Sequence, residues 1–219
     1  TLFTNTHANI QLPLEGLSYR INVGFSQEKA RVFEYTPSFD RDEFFNLGSG
    51  SKSYANSKNL SVENLVKYHR LFHEVHELDV TLLYGIYTNQ DESSSLSSNN
   101  IFNDALGYNS LQIGENFSIT SAAGKDQQIS SMARVGYSYK GKYVANATIR
   151  RDGYSAFGAG KKYGVFPSVG VSWILSQEPF LSGIKDIDNL KLRLSWGENG
   201  NRGVSRYSSL RNMGQTYYV

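Results

Sequence analysis

The sequence predicts an all-β chain, an antiparallel up-and-down meander of about eight strands. Three observations carry that prediction. Apolar and polar residues alternate with period two in segment after segment, the signature of a strand with two unlike faces. The chain holds 15 Tyr, 12 Phe and 20 Gly but only 4 Pro, a mix that favours strands and tight turns over helices. Short and long connections alternate between the expected strands.

Ala8, Ile10 and Leu12 alternate with Asn9 and Gln11, giving a first strand over 5–12. Pro13–Gly16 turns the chain into a second strand over 17–35, where Ile21, Val23 and Phe25 alternate with Arg20, Asn22 and Gly24. Thr36–Ser57 is rich in Ser, Asn and Gly and reads as a long loop. A third strand over 58–72 follows, although Leu60–Phe72 alternates poorly. His73–His76 is a short turn. In the fourth strand, over 77–92, Leu78, Val80, Leu82, Tyr84 and Ile86 oppose Glu77, Asp79, Thr81, Leu83, Gly85 and Tyr87. Ser93–Asp126 is a second long polar loop. Val135, Tyr137 and Tyr139 then alternate with Arg134, Gly136 and Ser138 in a strand over 127–139. Lys140–Lys142 turns into a strand over 143–151, and Asp152–Lys162 forms a loop on the side of the long ones. In the seventh strand, over 163–175, Val169, Val171, Trp173 and Leu175 alternate with Ser168, Gly170, Ser172 and Ile174. Ser176–Asn189 lies on the short-turn side, and its Ser176-Gln177-Glu178-Pro179 start can open a short helix. The last strand, over 190–199, sets Leu190, Leu192, Leu194 and Trp196 against Lys191, Arg193, Ser195 and Gly197.

Composition narrows the function classes. No apolar run nears the 18 residues of a membrane helix, so a helical membrane protein is excluded. A membrane barrel is not, because only every second residue of its strands meets lipid, and a mean hydropathy of −0.43 does not bear on it. A net charge of +2 is too near balance to imply a nucleic-acid partner. Cysteine is absent, so neither a disulfide framework nor a Cys-based metal site exists. Tight turns on one side and long loops on the other are the asymmetry of outer-membrane barrels. Tyr137, Tyr139 and Tyr143 flank a turn, and Trp173 lies near the same end of its strand; Tyr and Trp prefer the headgroup region. Alternation alone does not distinguish lipid from a protein core, so a soluble β-sandwich, as a binding module or adhesin domain, stands beside the barrel at this point.

Four blocks resolve the choice. They are Val135–Val144; Ala147–Gly158, containing Arg150-Arg151-Asp152-Gly153-Tyr154; Lys162–Trp173, followed by Glu178-Pro179-Phe180; and Leu190–Asn201. Their text, order and spacing resemble the barrel of SusC/RagA-type TonB-dependent transporters over residues 127–203. The rest matches only in style. The resemblance implies a barrel of about 22 strands around a plug, in the outer membrane of a Bacteroidota-like Gram-negative cell. It also implies import of oligosaccharides or peptides with a SusD-like lipoprotein lid, and TonB energy received through an N-terminal region. Residues 1–219 are then expected to be a partial barrel, without plug or remaining strands and stopping mid-loop at Val219.

Chemical sites were weighed residue by residue. His69, His73, Glu74, His76 and Glu77 cluster, but His73-Glu74-Val75-His76 falls one residue short of the zincin pattern, with Glu at 77. On strands and a turn these side chains are not expected to converge, and no metal is expected. Asp152-Gly153 reads as a turn, with Arg150 and Arg151 at a strand top able to neutralise carboxylates or lipid headgroups. The Gly158, Gly160 and Gly164 spacing is not that of a phosphate-binding loop. No catalytic constellation and no cofactor site is expected, so the chain is not read as an enzyme. Substrate contacts are expected from rings on the outer loops, whose faces suit sugars: Tyr54, Phe102, Tyr108, Tyr154 and Phe157.

Overall fold

A computed structural model describes residues 1–38, 47–181, 188–201 and 203–209. Eight strands form one sheet in which each pairs with its sequence neighbours, in the order β1 to β8. The strands are β1 Leu2–Gln11, β2 Leu17–Thr36, β3 Gly48–Phe72, β4 His76–Ile101, β5 Glu115–Tyr139, β6 Tyr143–Tyr154, β7 Tyr163–Ile174 and β8 Lys191–Gly197. The expected meander is therefore observed. The sandwich reading fails, because it needs two sheets and all eight strands lie in one.

Strands β3, β4 and β5 are longer than the alternation indicated, whereas β8 is shorter than the 190–199 expected. Residues 48–57, 93–101 and 115–126, read as loop, belong to β3, β4 and β5. Alternation reports a sheet with one apolar face. These stretches carry no sustained apolar face, since Phe117, Ile119 and Leu96 stand among polar residues, yet their backbones still pair. Ser53 Oγ meets Ser95 Oγ at 2.9 Å, and Ser57 Oγ donates to Asp91 Oδ1 at 2.6 Å. Of the expected loops, residues 39–46 and 182–187 lie outside the described residues, as do residues 210–219 at the chain end. The helix expected at Ser176 is one 3₁₀ turn over Leu175–Gln177.

Asp152-Gly153 is not a turn. Both residues are paired in β6, Asp152 with Ser130 and Gly164, Gly153 with Ile129 and Tyr163. The chain reverses only after Tyr154. The physical reason for Gly153 is space, since a Cβ there would lie 2.4 Å from Cε1 of the Tyr163 ring that covers it.

Contacts divide the chain into two units. The first comprises 1–4, 24–60 and 88–125. Its β4–β5 hairpin ends in 3₁₀ turns over Asp104–Ile113, broken at Gly107 and Ser110 and opened by Asn103, whose side chain accepts from the Ala105 N–H at 3.0 Å. Ile101 is fully buried beneath this tip. Asp104 fastens it, accepting from the Tyr35 hydroxyl and from Ser38 Oγ, the latter at 2.6 Å. The Ser38 hydroxyl, then Tyr35, hold the Asp104 carboxyl below its usual range.

The second unit comprises 5–23, 61–87 and 126–219. Its register defines two faces, because directly opposed residues share one. Tyr139, Tyr143, Trp173 and Leu192 form one row across β5 to β8. Tyr137, Ala145, Val171 and Leu194 form the next, and Val135, Ala147, Val169 and Trp196 the third. The opposite face carries Arg134, Asn146, Thr148, Arg150, Asp152, Ser168, Gly170 and Ser195. Among the described residues only Ile101 and Ala156 are buried apolar side chains, whereas Leu194 is 72% exposed. A contiguous apolar face of this extent, covered by no second protein layer, requires a non-aqueous neighbour.

Rings line one end of that face. His76, Tyr139, Tyr143 and Trp173 follow one another with centroids 5.0, 6.2 and 6.2 Å apart. Glu178 fastens the Leu175–Gln177 connection to them. It accepts from the Tyr143 hydroxyl at 2.6 Å and from Trp173 Nε1 at 3.0 Å, and Lys142 Nζ lies 3.6 Å away. The Tyr143 bond, then the Trp173 bond, hold the Glu178 carboxyl below the usual glutamate range. With the folded value depressed, this contact is fully present above the unfolded value and is lost as pH falls through the folded one. In a Trp196→Phe background, Trp173 fluorescence is expected to titrate below the ordinary glutamate range. Glu178→Gln should abolish that transition. A transition that persists in the Gln variant would show that another group reports.

Candidate substrate-facing site

The polar face of β5 to β7 builds a site at the strand ends farthest from Lys140–Lys142. The backbone of β6 alternates, so Arg150, Asp152 and Tyr154 project to this face. Arg151 projects to the other, its guanidinium 4.0 Å from the Tyr163 ring centroid. The two arginines thus stand on opposite faces of the sheet. Arg150 neutralises a carboxylate, while Arg151 stands with a ring at the end of the apolar face.

Asp152 is the centre of the site. Arg150 Nε donates to both its oxygens, at 2.7 and 3.0 Å, and Ser130 Oγ donates at 2.5 Å. Arg150 Nη2 also reaches Ser130 Oγ at 3.2 Å, as does Gln128 Nε2. Ser130 is fully buried, so these bonds fix the geometry of the wall. Above them opens a concavity of about 240 Å³, lined by Gln128, Arg150, Asp152, Tyr154, Phe166 and Asn201, among others. Phe166 packs on bare backbone, since a Cβ at Gly164 or Gly200 would fall 2.7 or 2.1 Å from its Cζ. Gln127 and Ser155 exchange bonds of 2.9 Å, which seats the Ser155–Lys162 turn beside the concavity. Because Arg150 and Asp152 cancel, the wall presents no net charge. It offers planar hydrogen-bonding groups beside rings, a surface for a neutral, hydroxyl- or amide-bearing ligand.

The five rings expected to touch substrate fall into three places. Tyr154 and Phe157 meet edge to face at 5.4 Å and line the concavity. Tyr54 and Tyr108 come together through Phe33, at 5.5 and 5.4 Å, in the first unit, with Lys52 Nζ 5.5 Å from the Phe33 centroid. Tyr54 alternates with Ser53, so this patch faces away from the Ser53–Ser95 contact. Phe102 stands 71% exposed at the hairpin tip. Sequence reasoning missed Phe166 and Phe33. Phe166 carried a signal, since it is the one aromatic among Gly164, Ser168 and Gly170 on the polar face of β7.

The histidine cluster separates. His76 Nδ1 bonds the Tyr137 hydroxyl at 2.6 Å on the ring-lined face. His69 Nδ1 instead bonds Asp79 at 2.9 Å with Glu77 4.0 Å away. Asp79 stands beside Gly136 on the polar face. His69 and Glu77 therefore do meet, with Asp79 rather than the other histidines, and one ligand atom from each of the three lies within 4.8 Å of the others.

No family model matches the chain. Similar sequences nevertheless agree with one another. TonB-dependent receptor P3 of Formosa agariphila is 28% identical over 94% of this chain and 21% of its own length. TonB-dependent receptor P26 of the same organism is 32% identical over 73% of this chain and 16% of its own. TonB-dependent receptor SusC of Bacteroides thetaiotaomicron is 34% identical over 39% of this chain and 8% of its own. The chain spans about a fifth of the length of the first curated relatives it matches. Among solved structures, the RagAB peptide importer in its closed-closed state superposes with a TM-score of 0.82 at 19% identity, over 94% of this chain and 23% of that one. That likeness is one of fold, a run of barrel strands.

Proposed function

We propose that this chain, a barrel segment of the SusC/RagA type of TonB-dependent receptor, forms part of the wall of an outer-membrane importer for a neutral oligosaccharide or peptide. The whole protein takes TonB energy and closes against a SusD-like lipoprotein lid. The observation that carries the reading is the division of one sheet into two faces. One is apolar, uncovered and edged with rings; the other is polar and holds the charge-balanced Arg150–Asp152 wall. Binding and release suffice for such a wall, and the relatives are named as receptors rather than enzymes. Tyr154 and Phe157 are proposed to contact substrate beside Phe166. The Tyr54–Phe33–Tyr108 patch and Phe102 are proposed to meet substrate or lid at the outer surface.

The hairpin tip tests this reading. Deleting 103–113 and joining the paired strands with a short turn is expected to leave barrel assembly intact, because exposed tips tolerate change. Growth on the imported nutrient should fall severalfold, with heat-modifiable gel mobility unchanged. Wild-type growth on every nutrient that requires the transporter would remove the tip from the uptake mechanism.

A further inference from the structure

A broad concavity lies on the apolar face, where lipid is expected. It measures about 720 Å³ and is lined by Tyr137, Tyr143, Ala145, Val171, Trp173 and Leu194, among others. Its origin is legible in the register. Along β6 the outward residues run Tyr143, Ala145, Ala147, Ile149, so two methyl groups form a floor between larger neighbours. Tyr137 and Val135 stand on the β5 side, and Val171 and Val169 on the β7 side. A trough along a strand, with the larger Ile149 farther along one end and the rings at the other, suits a single hydrocarbon chain lying parallel to it.

The mouth has its own chemistry. The trough opens at the stacked rings of Tyr139, Tyr143 and Trp173. The turn beyond them carries Lys140 and Lys142. Lys140 Nζ stands 5.2 Å from the Tyr139 ring centroid, and Lys142 sits beside the single carboxylate of Glu178 at 3.6 Å. Glu178 is already committed to Tyr143 and Trp173. Two ammonium groups therefore stand at this turn, Lys142 beside the Glu178 carboxylate and Lys140 over the Tyr139 ring, at the point where a lipid headgroup emerges. Rings at headgroup depth and lysines just beyond them are the arrangement that favours an anionic phosphate over a neutral head.

We propose that this trough is a lipid site that retains one anionic phospholipid, its acyl chain over Ala145 and Ala147 and its phosphate on Lys140 and Lys142. The inference rests on the membrane-barrel reading and adds to it a specific occupant. The site also gives Ala145 and Ala147 a purpose, since a purely lipid-solvated face gains more from larger apolar side chains.

The test uses the full-length barrel that carries this segment, reconstituted in nanodiscs of equal phosphatidylglycerol and phosphatidylethanolamine and examined by native mass spectrometry. One phosphatidylglycerol should stay bound in preference to phosphatidylethanolamine by at least about fivefold. Filling the trough with Ala145→Leu and Ala147→Leu should remove the retained lipid. Lys140→Gln with Lys142→Gln should erase the preference for the anionic head. Unchanged retention in the filled-trough variant, or equal retention of the two lipids by the wild type, overturns the proposal. Heat-modifiable mobility of the same samples reports the barrel separately, so a chain that never assembles a barrel is told apart from a barrel without the site.

Discussion

Val169→Arg is expected to destabilise the full-length barrel by about 2–4 kcal/mol, the cost of a cation on the lipid face near the bilayer midplane. The register sets the depth. Val169 lies opposite Ala147, four residues along β6 from Tyr143 and four from Arg151. Tyr143 belongs to the stacked rings, and Arg151 with Tyr163 marks the other end of the apolar face. Those eight residues span about 26 Å of strand, or about 20 Å along the membrane normal at a tilt of about 35–45°, which lies within the roughly 25 Å apolar band of such barrels. Leu194→Arg, one row nearer the rings, should cost less, because its guanidinium can reach the interface. Ser168→Arg, adjacent in sequence but on the polar face, should cost under about 1 kcal/mol. Equilibrium unfolding from lipid vesicles measures all three. Equal penalties at 168 and 169 would reject the assignment of faces.

The second large effect is expected at Asp152. Asp152→Ala leaves the Arg150 guanidinium without its carboxylate and the buried Ser130 hydroxyl without its acceptor. An unsatisfied buried polar group costs about 1–3 kcal/mol. The Arg150 side chain is 43% exposed, so water recovers part of its loss, and about 1–2 kcal/mol is the better figure for the variant. Arg150→Met combined with Asp152→Ala should cost less than the two single changes added, because neither orphaned charge remains. Strict additivity would mean that the pair is not coupled as its geometry requires. Uptake should respond separately. If the charge-balanced wall selects neutral ligands, Asp152→Ala makes it cationic and should admit acidic analogues of the nutrient.

Much of the fold was legible in the sequence wherever one face of a strand meets an apolar environment. In β6 to β8 the uncovered face carries an apolar residue at nearly every second position, and the text shows it. The stretches 48–57, 93–101 and 115–126 escaped because neither of their faces is apolar. Backbone pairing holds them, and backbone pairing writes little into residue choice beyond the exclusion of proline. Gly153 was misread for a related reason. Asp-Gly is common in turns, but here glycine answers to the ring of Tyr163, a residue ten positions away that local reasoning did not connect to it. The site was legible as a set of rings and not as a set of partners. Tyr154 with Phe157, and Tyr54 with Tyr108 through Phe33, are contacts made by the sheet. Phe166 broke the polar pattern of its own strand face and could have been found from that alone.

The lengths of β3, β4 and β5 separate two kinds of selection within single strands. Crossing the membrane takes about 9–11 residues, and these strands have 25, 26 and 25. More than half of each is free of any obligation to lipid. Their far halves keep their ladder through main-chain bonds that any side chain except proline permits. Recognition residues there can be exchanged without disturbing insertion into the membrane, and they sit on a paired scaffold instead of a floppy loop. If the proposed importer reading holds, each such element has a conservative half and an inventive half, and sequence divergence among relatives should concentrate in the second.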